Sequence, residues 1–193
     1  MKNYSEKDFK LAVVLIFMVI LITSQIFLNI RTDLPKAQKG VLDLGNWNFQ
    51  KDGIVALDGE WEFYWNQLLT YDDFHQGKPP EISGYYNVPG VWNDYEIDGK
   101  KLKGNGYATY RLKIKTSDMN TVKGLKLLNM STAYRLMVNS DIIAENGRVG
   151  KTSDTMAAEY RPQAVSFRNN SREFEIIVQV SNYVYSRGGI WYS

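Results

Sequence analysis

The chain has 193 residues and no cysteine. That absence excludes disulfides, thiolate metal sites and thiol nucleophiles together. An exported domain of this composition is held by its core alone. Histidine is almost missing as well. The single one, His75, lies in the polar stretch YDDFHQGKPP and reads as a solvated loop residue. Any site built on two imidazoles is therefore excluded. A charge surplus is also lacking. The net charge is +2, and Lys2, Lys7, Lys10 and Arg31 against Glu6 and Asp8 account for it, leaving 19 residues of each sign in positions 32–193. With no basic stripe, the chain is not read as a nucleic-acid binder.

Motifs of catalysis are equally sparse. GRVGKTS, residues 147–153, contains the GKT of a phosphate loop, but Glu145 stands where the first glycine belongs. It reads as a connecting loop. No G-x-S-x-G elbow occurs. The carboxylate pairs Glu60/Glu62, Asp72/Asp73 and Asp94/Glu96 do not show the convergence across a cleft that glycoside hydrolysis needs, and Glu60 and Glu62 read as a solvated strand face. Asp94, Glu96 and Asp98 share a glycine-containing loop with oxygen donors for a cation, without the EF-hand spacing. No catalytic residue, metal site or cofactor is assigned.

What the sequence does have begins at its N-terminus. Leu11 to Ile22 contains no polar residue, and 16 of the 20 residues from Leu11 to Ile30 are apolar. About 20 helical residues cross a bilayer. Lys2, Lys7 and Lys10 precede the run, which places residues 1–10 in the cytoplasm and the rest outside. An uncleaved anchor over 11–30 and a cleaved signal peptide are both consistent with this pattern. Residues 31–39 read as a linker broken by Pro35 and ending before Gly40.

From residue 40 onward, short runs of period two alternate with turn residues. Aromatics make up 13% of the chain, which suits strands. GEWEFYW puts Trp61, Phe63 and Trp65 on one face and Glu60, Glu62 and Tyr64 on the other. GYATYRLKIKT puts Ala108, Tyr110, Leu112 and Ile114 inward, with Thr109, Arg111, Lys113 and Lys115 outward. In AYRLMVN, Tyr134, Leu136 and Val138 oppose Arg135, Met137 and Asn139; in REFEIIVQVSN, Phe174, Ile176, Val178 and Val180 share a face. DIIAENG and RPQAVSF are further strand candidates. One short helix is expected over residues 66–74, NQLLTYDDF. Many short strands with little helix predict an all-β sandwich or barrel.

Five motifs then occur in order: LDGEWEFYW, VPGVWNDY, GYATYRLKI, TAYRLMVNSDIIAENGRVG and EIIVQVSNYVYSRGGIW. Their order and spacing resemble the N-terminal sugar-binding domain of family 2 glycoside hydrolases, a galactose-binding-like jelly roll whose catalytic acids lie in a separate barrel. The series, preceded by one apolar helix, is also similar to the extracellular region of bacterial seven-transmembrane receptors with diverse intracellular signalling modules, and of related sensor histidine kinases and cyclases. The resemblance covers Val41 to the end. It implies a jelly-roll β-sandwich after one N-terminal transmembrane helix, with a further strand beyond Ser193.

The family position matching Asn182 faces the ligand side, so the resemblance makes Asn182 a candidate ligand residue. Trp92, Asn93 and Trp191 are rim candidates, since aromatic faces suit sugar rings and amides suit hydroxyls. Arg187 suits an anionic group. Each has a packing or solvated alternative. The expectation is a non-catalytic extracellular sensing module at the bacterial membrane, for a small molecule or carbohydrate, paired as a homodimer through a longer receptor. The alternative is the membrane-anchored carbohydrate-binding domain of a family 2-type hydrolase.

Overall fold

The computed structural model describes residues 6–28, 34–128 and 130–191, with the side chains of its first helix over residues 9–21. The chain divides into two units, residues 1–34 and 35–193. The first contains helix α1 (Glu6–Leu28). Its apolar side chains from Leu11 to Leu21 are exposed around the helix rather than along one stripe. Among the described residues, no helix is long and apolar enough to cross a membrane. Residues 29–30 of the expected 11–30 span, and residues 31–33 of the expected linker, lie outside the described residues.

The second unit runs through β1 (Val41–Leu44), α2 (Phe49–Asp52), β2 (Gly59–Trp65), α3 (Tyr71–His75), β3 (Gly84–Val88), β4 (Gly90–Val91), β5 (Glu96–Ile97) and β6 (Lys100–Lys101). It continues with β7 (Gly106–Thr116), β8 (Thr121–Leu127), β9 (Met130–Ser131), β10 (Ala133–Val138) and β11 (Asp141–Asn146). The last strands are β12 (Gln163–Asn169), β13 (Glu173–Asn182) and β14 (Gly189–Ile190).

One large sheet has the order β11-β10-β13-β7-β2-β3. Its spine is the antiparallel β7–β13 pair, in register from Gly106↔Asn182 to Lys115↔Glu173. β1 lies parallel to β7 over Lys113–Thr116, beyond the stretch that β2 occupies. Ala37 already bridges to Gly59, so the folded unit takes in the end of the expected linker. The ribbon β12–β8 and the three short strands β4-β14-β9 are separate from the large sheet. Leu127, Ile190 and Trp92 join the large sheet's Trp61, Phe63, Tyr110, Leu112, Leu136, Ile176 and Val178 in one buried cluster. The result is the predicted β-sandwich. The inward sets read from period-two alternation are buried, Trp65 only in part, and Asn139 turns between β10 and β11 with φ 51°.

Two expectations fail, for one reason. The helix predicted over 66–74 is only the five-residue α3. Asn66 takes positive φ, and the next residues lie on the outer face of the large sheet as a strap. The Leu69 amide donates to Thr109 Oγ1, that hydroxyl donates to the Gln67 carbonyl, and the Gln179 side chain donates to the Leu69 carbonyl. These bonds hold the backbone extended until Thr70 caps α3. The second failure follows. Glu62, Tyr64, Thr109 and Arg111 are expected on the outward face, Glu62 as solvated, yet all four are buried. Met137, also predicted outward, is buried beside its cross-strand partner Ile177.

Under the strap lies an ion cluster. Arg111 donates through Nε (2.9 Å) and Nη2 to the two oxygens of Glu175, and through Nη1 to Glu62 at 3.2 Å. Tyr64 donates to Glu62 at 2.8 Å, and the Phe74 ring covers the guanidinium at 4.3 Å. Burial alone would lower the Arg111 pKa, but the hydrogen bonds and charge of Glu175, then Glu62, outweigh it and hold it above its ordinary value. Burial first, then Glu62, raises the Tyr64 hydroxyl.

Removing one partner of such a pair leaves uncompensated buried charge. Arg111→Ala should therefore cost about 3–5 kcal/mol in urea unfolding at pH 7. A loss below about 1 kcal/mol would contradict this account.

Candidate ligand-facing rim

Asn182 and Gly106 end the β7–β13 ladder at one end of the sheet. Three loops converge there: residues 92–105, 147–157 and 183–188. The first and last are fixed by side chains that the sequence pattern placed on the rim, and 147–157 by Ser181.

Trp92 opens a 3-10 turn and is 0% exposed. Its indole N–H is shared between the carbonyls of Lys103 (2.9 Å) and Gly104 (3.0 Å), and its ring meets Trp65 edge-on. Its backbone N–H donates to the Gly188 carbonyl. A Cβ on Gly188 would lie 2.1 Å from the Trp92 ring, and one on Gly104 would lie 2.1 Å from the Ser186 carbonyl oxygen. Glycine at these two positions lets the loops close on one another. Trp92 is thus a core residue beneath the rim, which corrects its reading as an edge residue open to a ligand. The VPG turn places it so, because β4 is hydrogen-bonded to β14 and draws the following residue inward.

Asn182 is also 0% exposed. Its amide N–H groups are shared among the carbonyls of Gly104, Tyr185 and Arg187 at 2.8, 2.8 and 3.1 Å. Its Oδ1 accepts from the backbone amides of Val184 and Tyr185. Those bonds saturate the side chain, so Asn182 shapes the 183–188 loop rather than offering hydroxyl-binding groups. Asn93 joins the same network from the other side, donating to the Ser186 carbonyl at 3.0 Å and accepting from Gly188 N–H at 3.1 Å. Ser181 clamps the third loop, accepting from Gly150 N–H and donating to the Gly150 carbonyl.

What faces outward is carried on this frame. Arg187 is exposed, and Trp191 is partly buried with its ring centroid 6.4 Å from that of Tyr185. Among the described residues, the Trp191 indole N–H has no acceptor. Tyr185 and Val184 are 53% and 62% exposed. Tyr183 donates to the Lys151 carbonyl, and burial first, then Tyr107, raises its hydroxyl pKa. The structure thus brings all five predicted residues to one end of the sandwich, with Arg187 and Trp191 outward and Trp92, Asn93 and Asn182 tying the loops. Sequence reasoning missed Tyr185. The signal was YVYS following a strand, where two tyrosines at i and i+2 leave the ladder together. The Asp94–Asp98 loop is a different matter. Among the described residues, no three Asp, Glu or His side chains gather as a metal site.

Replacing Asn182 with Ala would strip partners from several buried backbone groups. Asn182→Ala should cost about 2–3 kcal/mol in urea unfolding and raise amide exchange over 183–188 before that of β7. Unchanged exchange in the loop would refute its role as the loop's fastener.

No family model and no curated protein matches the chain. Solved structures do. A β-glucuronidase from Faecalibacterium prausnitzii aligns over 68% of this chain and 21% of its own, at 16% identity and a TM-score of 0.50. A β-glucuronidase from an uncultured Clostridium species aligns over 69% and 26%, at 14% identity and a TM-score of 0.50. A galacturonate-bound GH2 β-galacturonidase from Eisenbergiella tayi aligns over 68% and 22%, at 17% identity and a TM-score of 0.44. The chain spans about a fifth to a quarter of the length of these proteins. At such identities the likeness is one of fold: the aligned part of the chain shares a β-sandwich with the two β-glucuronidases.

Proposed function

We propose that residues 35–193 form a non-catalytic carbohydrate-binding sandwich, tethered to a membrane by α1 and exposed outside the cell. The observation that carries the reading is the rim: Tyr185, Trp191 and Arg187 presented outward on loops that Trp92, Asn93 and Asn182 hold in place. Aromatic faces suit a sugar ring, and a preformed loop keeps the ordering cost of binding low. The shared fold with sugar-processing enzymes supports the setting; the ligand class rests on the rim chemistry. The apolar residues exposed around α1, which water would not tolerate, support the tether.

The module acts as the sensing part of a longer membrane receptor. Its signal consists in binding the ligand more tightly in one conformation than in another. The coding sequence after Ser193 separates this from the hydrolase alternative. Several apolar spans of about 20 residues mark a receptor, and a long βα alternation marks a hydrolase barrel.

Two measurements test the proposal. Titration of the full chain in detergent with mono- and oligosaccharides should change tryptophan emission, and Tyr185→Ala should weaken the response about five- to tenfold. Silence across a broad panel would rule out sugar sensing. Because the chain has no cysteine, Tyr160→Cys gives a single thiol at an exposed site. A membrane-impermeant maleimide should label it in intact cells, and labelling only after lysis would reverse the orientation.

A further inference from the structure

The rim carries a charge asymmetry. Residues 32–193 hold equal numbers of cations and carboxylates, yet the three converging loops hold six cations and four carboxylates. Part of that charge is balanced locally. Glu96 stands opposite Lys101 on the β5–β6 hairpin, and Asp98 and Lys100 belong to the same hairpin. What remains is Lys103, Arg148, Lys151 and Arg187 against Asp94 and Asp154. Arg148 is engaged within its own loop, where its Nε donates to the Thr155 carbonyl at 3.0 Å; Asp154 accepts from the Ser153 hydroxyl. The other three cations share one feature of construction. Each has its main-chain carbonyl pinned by a side chain of the frame: Lys103 by the Trp92 indole, Arg187 by the Asn182 amide and Lys151 by the Tyr183 hydroxyl. Their own side chains are exposed, and among the described residues none of the three lies within ion-pairing distance of a carboxylate.

We propose that the rim selects acidic saccharide chains, whose rings lie on Tyr185 and Trp191 while their carboxylate or sulfate groups meet Lys103, Lys151 and Arg187. This rests on the sugar reading above and adds the charge of the ligand to it. The three cations have fixed roots and free charged ends, so binding orders only the ends of the side chains. The Arg187 fork takes two anionic oxygens at once, and the lysines act as mobile point charges. Each cation comes from a different loop. A lone acidic sugar offers one anion to one of them, whereas a chain with an acidic group on successive sugars can engage all three. The surplus is local in a unit that is otherwise balanced, so it draws an anionic chain to this end of the sandwich and leaves the rest of the surface indifferent to it.

The full chain in nonionic detergent is titrated with three oligosaccharide sets of equal length: neutral, uronic-acid and sulfated. At low salt, one or both acidic sets should bind about tenfold more tightly than the neutral one, and the advantage should vanish near 1 M salt, where screening is nearly complete. Whichever acidic set binds identifies the anion. Lys103→Gln, Lys151→Gln and Arg187→Gln should each lower acidic binding about twofold and together remove the preference, with neutral binding unchanged. Lys51→Gln, outside the rim, should change neither, and Tyr185→Ala should weaken all three sets alike. Equal binding of neutral and acidic sets would overturn this inference and leave the sugar reading standing, whereas silence in all three would overturn both. A preference that survives the triple variant would also refute it. Should the triple variant not fold, the three single variants decide by the same comparison.

Discussion

Arg111 in its cage of acceptors is the contact on which the rest of this sandwich is arranged. It stands at the middle of β7 and reaches Glu62 on one neighbouring strand and Glu175 on the other, so one side chain ties three strands of the sheet. A guanidinium suits this place because its planar fork meets a carboxylate with two parallel bonds while a third N–H turns elsewhere. Burying that much charge is favourable only if every donor and acceptor is satisfied and water is kept out. The strap, with Phe74 over the guanidinium, provides that cover. The strap in turn depends on polar groups of the sheet, Thr109 and Gln179, for its own backbone partners. The outer face is thus a second, polar core whose parts are stable only together.

That arrangement also marks where a sequence reading stops. Period two located β2, β7, β10 and β13 and named their inward faces correctly, because alternation is a local property of extended backbone. It could not tell whether the opposite face met water. Glu62 and Arg111 look like solvated strand residues, and only a segment folding back from positions 66–76 makes them buried. The same limit applies at the rim. The motifs VPGVW and SNY led to the right end of the molecule. Which residues face outward is decided by pairings such as Asn93 with Ser186, separated by 93 positions, which no local pattern encodes. Trp92 and Asn182 therefore looked like binding residues and are fasteners, while Tyr185, unnoticed in the sequence, is presented by them.

The two faces of the sheet divide the work differently. On the apolar face, tolerance is broad: volume and shape decide, and similar hydrophobes can exchange at modest cost. On the polar face and at the rim, each group has named partners, and a single deletion leaves others unsatisfied. Variation should be absorbed readily by the first and poorly by the second.

The way the chain enters the sandwich has a mechanical consequence. β1 runs parallel to β7, bonded to it over Lys113–Thr116, and the residues before it bridge to Gly59. Between the two the chain reverses, Gln38 pairing antiparallel with Val41 across a turn at Lys39 and Gly40. A load applied through Pro35 therefore meets that turn and the Ala37–Gly59 bridge before the β1–β7 ladder. The N-terminal edge is doubled back on itself, and tension must open this fold-back before it reaches the β7–β13 spine.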